Sequence, residues 1–112
     1  MSAPVLNREM VLESPDRQPD GAGGYAEGWA ALGTLWAELR PRTGRDAGGE
    51  GAALSRMRYR IVLRAAPDGS SMRPRAGQRL RLGARRFRIE AVAEYDRRAR
   101  YLECFATEEE VT

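Results

Sequence analysis

The chain has 112 residues, a length that accommodates one domain (residues 1 to 112) with one modest core. It has no histidine and no lysine, all 19 basic residues being arginine, and Cys104 is the single cysteine. These absences remove the commonest general base and metal ligand, lysine Schiff-base and Walker-type chemistry, an internal disulfide, and a thiolate metal cluster within one subunit.

The net charge of +3 conceals a segregation. Residues 56 to 100 carry 14 arginines against Asp68, Glu90, Glu94 and Asp96, an excess of +10, whereas residues 1 to 55 sum to −3 and residues 101 to 112 to −4. Such a basic band can attract a nucleic-acid backbone or an acidic protein, including the acidic ends of a second copy. No apolar stretch reaches the roughly 18 residues of a membrane span, so no membrane partner is expected. The start Met-Ser-Ala-Pro-Val-Leu lacks a signal-peptide plan, which predicts a protein made and used in the cytoplasm.

Along the chain, residues 8 to 14 predict a short strand with Met10 and Leu12 on one face. Ser14-Pro15-Asp16 and Pro19-Asp20-Gly21-Ala22-Gly23-Gly24 read as turn and loop. A second strand is expected at Tyr25 to Trp29 and a third at Gly33 to Arg40, with Leu35, Ala37 and Leu39 inward and Thr34, Trp36, Glu38 and Arg40 outward. A helix over Glu27 to Leu39 competes, but Gly28 and Gly33 would each cost it about 1 kcal/mol. Pro41 ends the strand by removing a ladder donor.

Residues 41 to 55 hold four glycines, which predicts a long flexible loop, a feature more often functional or disordered than merely connecting. The next strand, Arg56 to Ala65, alternates sharply: Met57, Tyr59, Ile61 and Leu63 face in, while Arg56, Arg58, Arg60 and Arg64 face out. Leu80 and Leu82 make a short strand with Arg79 and Arg81 outward, and Gly83-Ala84 fits a two-residue turn with glycine first. In Arg86 to Tyr95 the period places Phe87, Ile89, Ala91 and Ala93 inward and Val92 outward. Asp96 to Arg100 turns the chain into a last strand, 101 to 107, where Cys104 reads as a small buried hydrophobe, and residues 108 to 112 form a solvated acidic tail. Six or seven short strands at this spacing predict an all-β fold, a small antiparallel β-barrel.

Few chemical motifs stand out. Gly21-Ala22-Gly23-Gly24 lacks the strand and helix of a phosphate loop. Glu90 and Glu94 are too far apart for a shared-proton pair and read as a solvated or ion-paired face. Trp29 and Trp36 read as core or interface anchors rather than base-stacking platforms. No catalytic, cofactor-binding or metal-ligating residues emerge, so the expectation is a protein that is not an enzyme and takes no cofactor.

The order Asp20-x-x-Gly23-Gly24-x-x-x-x-Trp29, then Leu35-Trp36-Ala37-Glu38-Leu39-Arg40-Pro41, a glycine-containing loop, an arginine-rich strand, Phe87-Arg88-Ile89-Glu90-Ala91-Val92 and Tyr101-Leu102-Glu103 resembles the head-tail joining proteins of tailed phages. These head-closure or stopper proteins also occur in gene transfer agents, and the resemblance spans roughly residues 6 to 108. It implies a β-barrel subunit of a ring, commonly a hexamer, in the neck of a virion or phage-like particle assembled in the host cytoplasm. The implied partners are other copies, a portal-side adaptor, a tail terminator, and double-stranded DNA passing non-specifically through the channel. The resemblance makes residues 41 to 55 the channel or gating loop, with Arg42, Gly44, Arg45, Asp46, Gly48, Gly49, Gly51 and Leu54 as its candidate residues, although its glycine and alanine content departs from the usual pattern. Arg42, Arg45, Arg56 and Arg58 are expected nearest the bore, Arg56, Arg58 and Arg60 to meet DNA or a neighbouring subunit, and Trp29 and Trp36 to anchor an interface. The alternative is a small basic β-barrel nucleic-acid-binding module of the oligonucleotide-binding class. It needs aromatics on its exposed face, whereas Tyr59 and Phe87 share a side with Ile61 and Ile89.

Overall fold

The computed structural model describes residues 3–42 and 57–109. The described chain forms six strands: β1 (Arg8–Pro19), β2 (Tyr25–Pro41), β3 (Arg58–Arg64), β4 (Arg79–Leu82), β5 (Arg85–Glu94) and β6 (Tyr101–Glu108). All pairings are antiparallel, and the sheet closes as a barrel in the order β1-β2-β3-β6-β5-β4. Closure gives each strand of the barrel body a partner on both sides, which removes the open edges that would template aggregation.

Period-two alternation fills the interior. Met10 and Leu12 of β1, Ile61 and Leu63 of β3, and Leu102 and Cys104 of β6 are fully buried in one cluster. Phe87 meets Tyr59 edge to face, with ring centroids 5.2 Å apart at 81°, a geometry worth about 1 kcal/mol beyond the area buried. Cys104 is sealed in this core, and burial pushes its thiol up to about 12, the behaviour of a hydrophobe rather than a nucleophile. Leu82 and Arg85 pair across Gly83-Ala84, and Gly83 has a φ of 61°, so glycine stands first in this two-residue turn as the sequence demands.

Several elements differ from the sequence reading, each for a physical reason. Ser14-Pro15-Asp16 is not a turn: β1 runs on to Pro19, pairing Pro15 with Trp29 and Pro19 with Tyr25. The prolines are tolerated because, among the described residues, no strand other than β2 pairs with that stretch. The two strands expected over 25 to 40 are one, β2, and the irregularity is a register shift in which Leu12 pairs Gly33 and Glu13 pairs Ala31. In β5 a register shift between Ile89 and Ala91 reverses the phase. Ala91 and Ala93, expected inward, are exposed, and Val92, expected outward, packs on the core. Met57 lies before β3 and is 48% exposed instead of inward. Val62 is buried even though it lies on the arginine side of β3, between Glu38 and Glu103 in the register. Glu108 closes β6 rather than starting a solvated tail, and residues 110 to 112 lie outside the described residues.

Candidate functional site

The outward arginines fall into two groups on different parts of the barrel. On the β1, β4 and β5 side Arg79, Arg81 and Arg85 are tied to carboxylates of the same chain, whereas Arg86 and Arg88 of β5 are exposed and form no salt bridge among the described residues. Arg79 Nε donates to Glu13 Oε1 at 2.6 Å and Arg81 Nε to Glu13 Oε2 at 3.1 Å. Burial pushes the Glu13 carboxyl up, but the two guanidinium hydrogen bonds outweigh it and hold the group below the usual carboxylate range. Arg85 donates from Nε and Nη2 to the two oxygens of Glu108, at 2.9 and 3.1 Å, and reaches Tyr59 Oη at 3.2 Å. The Arg85 hydrogen bond likewise holds Glu108 low. These are latches: they join β1 to β4, and the start of β5 to the end of β6.

The second group runs along β3. Arg58, Arg60 and Arg64 are exposed and alternate with the buried Ile61 and Leu63, as the period of two requires. Their cross-strand neighbours on β6 are Thr107, Phe105 and Tyr101. The guanidinium carbons of Arg42 and Arg60 lie 5.9 and 5.7 Å from the centre of the Phe105 ring, and that of Arg64 lies 5.8 Å from Tyr101. At these distances each is a weak cation–π contact, worth about 0.5 to 1 kcal/mol at an exposed site. Among the described residues no carboxylate lies within salt-bridge distance of Arg60 or Arg64.

At the start of β3 the chain re-enters the sheet beside the point where it left. The Arg42 N–H donates to the Arg58 carbonyl at 2.9 Å, so the two ends of the 41 to 55 segment are fastened together. Arg42, Arg58, Glu90 and Phe105 line a groove of about 360 Å3 there. Of the candidate gating residues only Arg42 is described; Gly44, Arg45, Asp46, Gly48, Gly49, Gly51 and Leu54 lie outside the described residues, as does Arg56.

The two tryptophans separate. Trp36 is 53% exposed on the outer side of β2, opposite Glu9. Trp29 is half-buried with the Arg79 guanidinium 4.1 Å over its ring. The Asp20 motif is a turn device: the Ala22 and Gly24 N–H groups donate to Asp20 Oδ1 at 2.8 and 3.0 Å, and Gly23 has a φ of 86°. These bonds hold the exposed Asp20 carboxyl low.

Sequence reasoning missed Phe105 and Tyr101, the aromatic half of the β3 face. The signal was present, because once Leu102, Cys104 and Ala106 point inward, Tyr101 and Phe105 must point outward. It also missed a groove of about 500 Å3 at the β5 to β6 turn, where Tyr95, Arg97, Arg98 and Arg100 meet Ala3 and Pro4. Asp96 builds that turn by accepting the Arg100 and Tyr101 N–H groups at 2.9 and 3.0 Å. No group of three or more potential metal-binding side chains occurs among the described residues.

Comparison with known proteins is consistent with this geometry. The family model for phage head completion proteins matches residues 1–109. A chain of the virion of a native gene transfer agent particle is 51% identical, with 98% of this chain and all of that chain covered at a TM-score of 0.79. Protein SF1141 of Shigella flexneri 2a, known from a solution structure, shares the fold at 23% identity and a TM-score of 0.70, with 96% of each chain covered. A search among curated proteins gave no match. With the family model covering nearly its whole length, the chain belongs to the phage head completion protein family.

Proposed function

We propose that this protein is a structural connector in the neck of a gene transfer agent or phage particle. Copies of the chain form a ring, of six in this reading, between the portal-side adaptor and the tail terminator, closing the DNA-filled head and offering the tail its docking surface. It acts by binding rather than by catalysis. The gene transfer agent chain aligned end to end at 51% identity supports the particle assignment. The observation that carries the mechanism is the hydrogen bond from the Arg42 N–H to the Arg58 carbonyl, which brings the residues flanking the proposed gating segment together on the basic face.

In this reading Arg42, Arg45, Arg56 and Arg58 line the bore. There they contact phosphate weakly and without base selection, as a channel passing any DNA sequence requires. Deleting residues 44 to 54 tests the loop: heads that fill but then lose DNA or fail to take tails, seen by electron microscopy and by DNA retention, are expected. Tailed particles that hold their DNA would reduce the loop to a tether. The outward, arginine-flanked Phe105 gives the nucleic-acid-binding alternative an aromatic on its exposed face. Binding of single-stranded oligonucleotide by purified protein that is lost in Phe105→Ala would favour that alternative.

A further inference from the structure

The outward side of β4 and β5 sets arginine against arginine. The register pairs Arg79 with Arg88 and Arg81 with Arg86, and because the alternate residues Leu80, Phe87 and Ile89 are buried, all four guanidinium groups share the outer face. Like charges directly opposite each other destabilise a sheet. Arg79 and Arg81 are relieved by Glu13. Arg86 and Arg88 are exposed and have no carboxylate within salt-bridge distance among the described residues.

The excess continues across the next strands. Thr107 of β6 lies between Arg88 of β5 and Arg58 of β3, and the Arg42 N–H, bonded to the Arg58 carbonyl, extends the same row past the end of β2. One step along β3, Arg60 lies beside Phe105. The carboxylates of this surface are Glu13, already shared by two arginines, Glu90, exposed at the register shift of β5, and Glu109, 4.0 Å from Arg79. The arginines outnumber them, so a band of positive charge runs across the strands.

Two properties select its occupant. Phe105 is the only large apolar side chain at these outward positions and it is half-buried, whereas a protein partner needs an apolar centre to its interface. The charge is also strung out, reaching from the groove at Arg42 and Arg58 to Arg88, roughly 10 Å from β3 to β5 at the usual strand spacing. A surface charged throughout, with its cations in a row, suits a repeating array of phosphates.

We infer that this band is a track for the backbone of double-stranded DNA, in which Arg86 and Arg88 of β5 bind phosphate together with Arg58 and Arg60 of β3. The polyanion neutralises opposed arginines that the chain itself leaves uncompensated. This inference rests on the connector reading above, in which duplex DNA passes the protein, and adds which strands of the barrel face it.

The purified full chain, titrated with two duplexes of unrelated sequence between about 50 and 200 mM salt, tests it. Equal affinity for both and a steep loss with salt are expected. Arg86→Gln with Arg88→Gln should weaken binding of both duplexes by about tenfold or more, and flatten the plot of log affinity against log salt by about 1.8, the loss of two phosphate contacts. The same variant should unfold at a slightly higher urea midpoint, because the opposed charges are gone; a structural role would lower it. Arg97→Gln with Arg98→Gln removes equal charge from the exposed β5 to β6 turn and should leave the salt slope as it is. No duplex binding by the parent, an unchanged slope in the β5 variant, or an equal change in the turn variant would overturn the track. Tighter binding of single strand would overturn it in favour of an oligonucleotide-binding face, and displacement of duplex by polyglutamate at matched charge in favour of an acidic protein. The connector reading fails separately, if electron microscopy of assembled particles shows no ring of this protein.

Discussion

The barrel carries arginines on two faces, and the partners available to each separate them. On the β4 and β5 face Arg79, Arg81 and Arg85 are bound to Glu13 and Glu108 of the same chain. On the β3 face Arg60 and Arg64 lie over Phe105 and Tyr101, with no carboxylate in reach among the described residues. The same side chain thus serves two ends. Where a carboxylate comes within reach, the pair fixes strand to strand; Arg60 and Arg64, whose nearest side-chain contacts are Phe105 and Tyr101, form no such pair among the described residues. A count of arginines in the sequence cannot make this distinction.

The largest expected contrast comes from removing Glu13. Its side chain is 9% exposed and that of Arg79 only 11%, so Glu13→Gln leaves a nearly enclosed guanidinium with only the Glu109 carboxylate, 4.0 Å from its Nη1, as counter-charge. The cost should be about 3 kcal/mol, read as a lower urea midpoint with an unchanged slope. The pH dependence should follow the same pairs. Glu13 and Glu108 are both held below their ordinary values, so their stabilisation is fully present above the unfolded-state pKa of about 4.3 and is lost as pH falls through the lower folded-state values. Unfolding midpoints measured from pH 7 down to 2 should drop across this window in the parent, and less steeply in Glu13→Gln. A steeper drop in the variant would assign the acid sensitivity elsewhere.

Much of the barrel is legible in the chain because alternation is a local signal. Arg58 to Leu63 and Tyr101 to Ala106 can each be assigned an inside and an outside from sequence alone. Register shifts are not local, and they account for most of the differences. The phase of β5 reverses after Ile89, a change specified by pairing with β6 rather than by any residue between Glu90 and Ala93. The sequence predicts a strand that starts at Gly33, yet Gly33 lies within β2, and a Cβ there would sit 2.6 Å from Met72 Sδ. Gly33→Ala should cost about 1 kcal/mol, since the methionine end can move aside, and Met72→Ala in the same chain should recover part of that loss. The candidate site was legible as an arginine stripe. Its division into latches and an open face required knowing which arginines the fold brings to Glu13 and Glu108.

The smallest effect on stability should come from the face proposed to be functional. Arg60 is exposed and its one described interaction is with the Phe105 ring at 5.7 Å, a contact worth roughly 0.5 kcal/mol at such a site. Arg60→Gln should therefore unfold within about 0.5 kcal/mol of the parent and keep its acid profile, because neither Glu13 nor Glu108 loses a partner. If this face exists for a partner, the same variant must weaken duplex DNA binding by the full chain while its fold stays intact. A loss of stability approaching that of Glu13→Gln would mean that Arg60 is another latch, and the distinction between the two faces would fall.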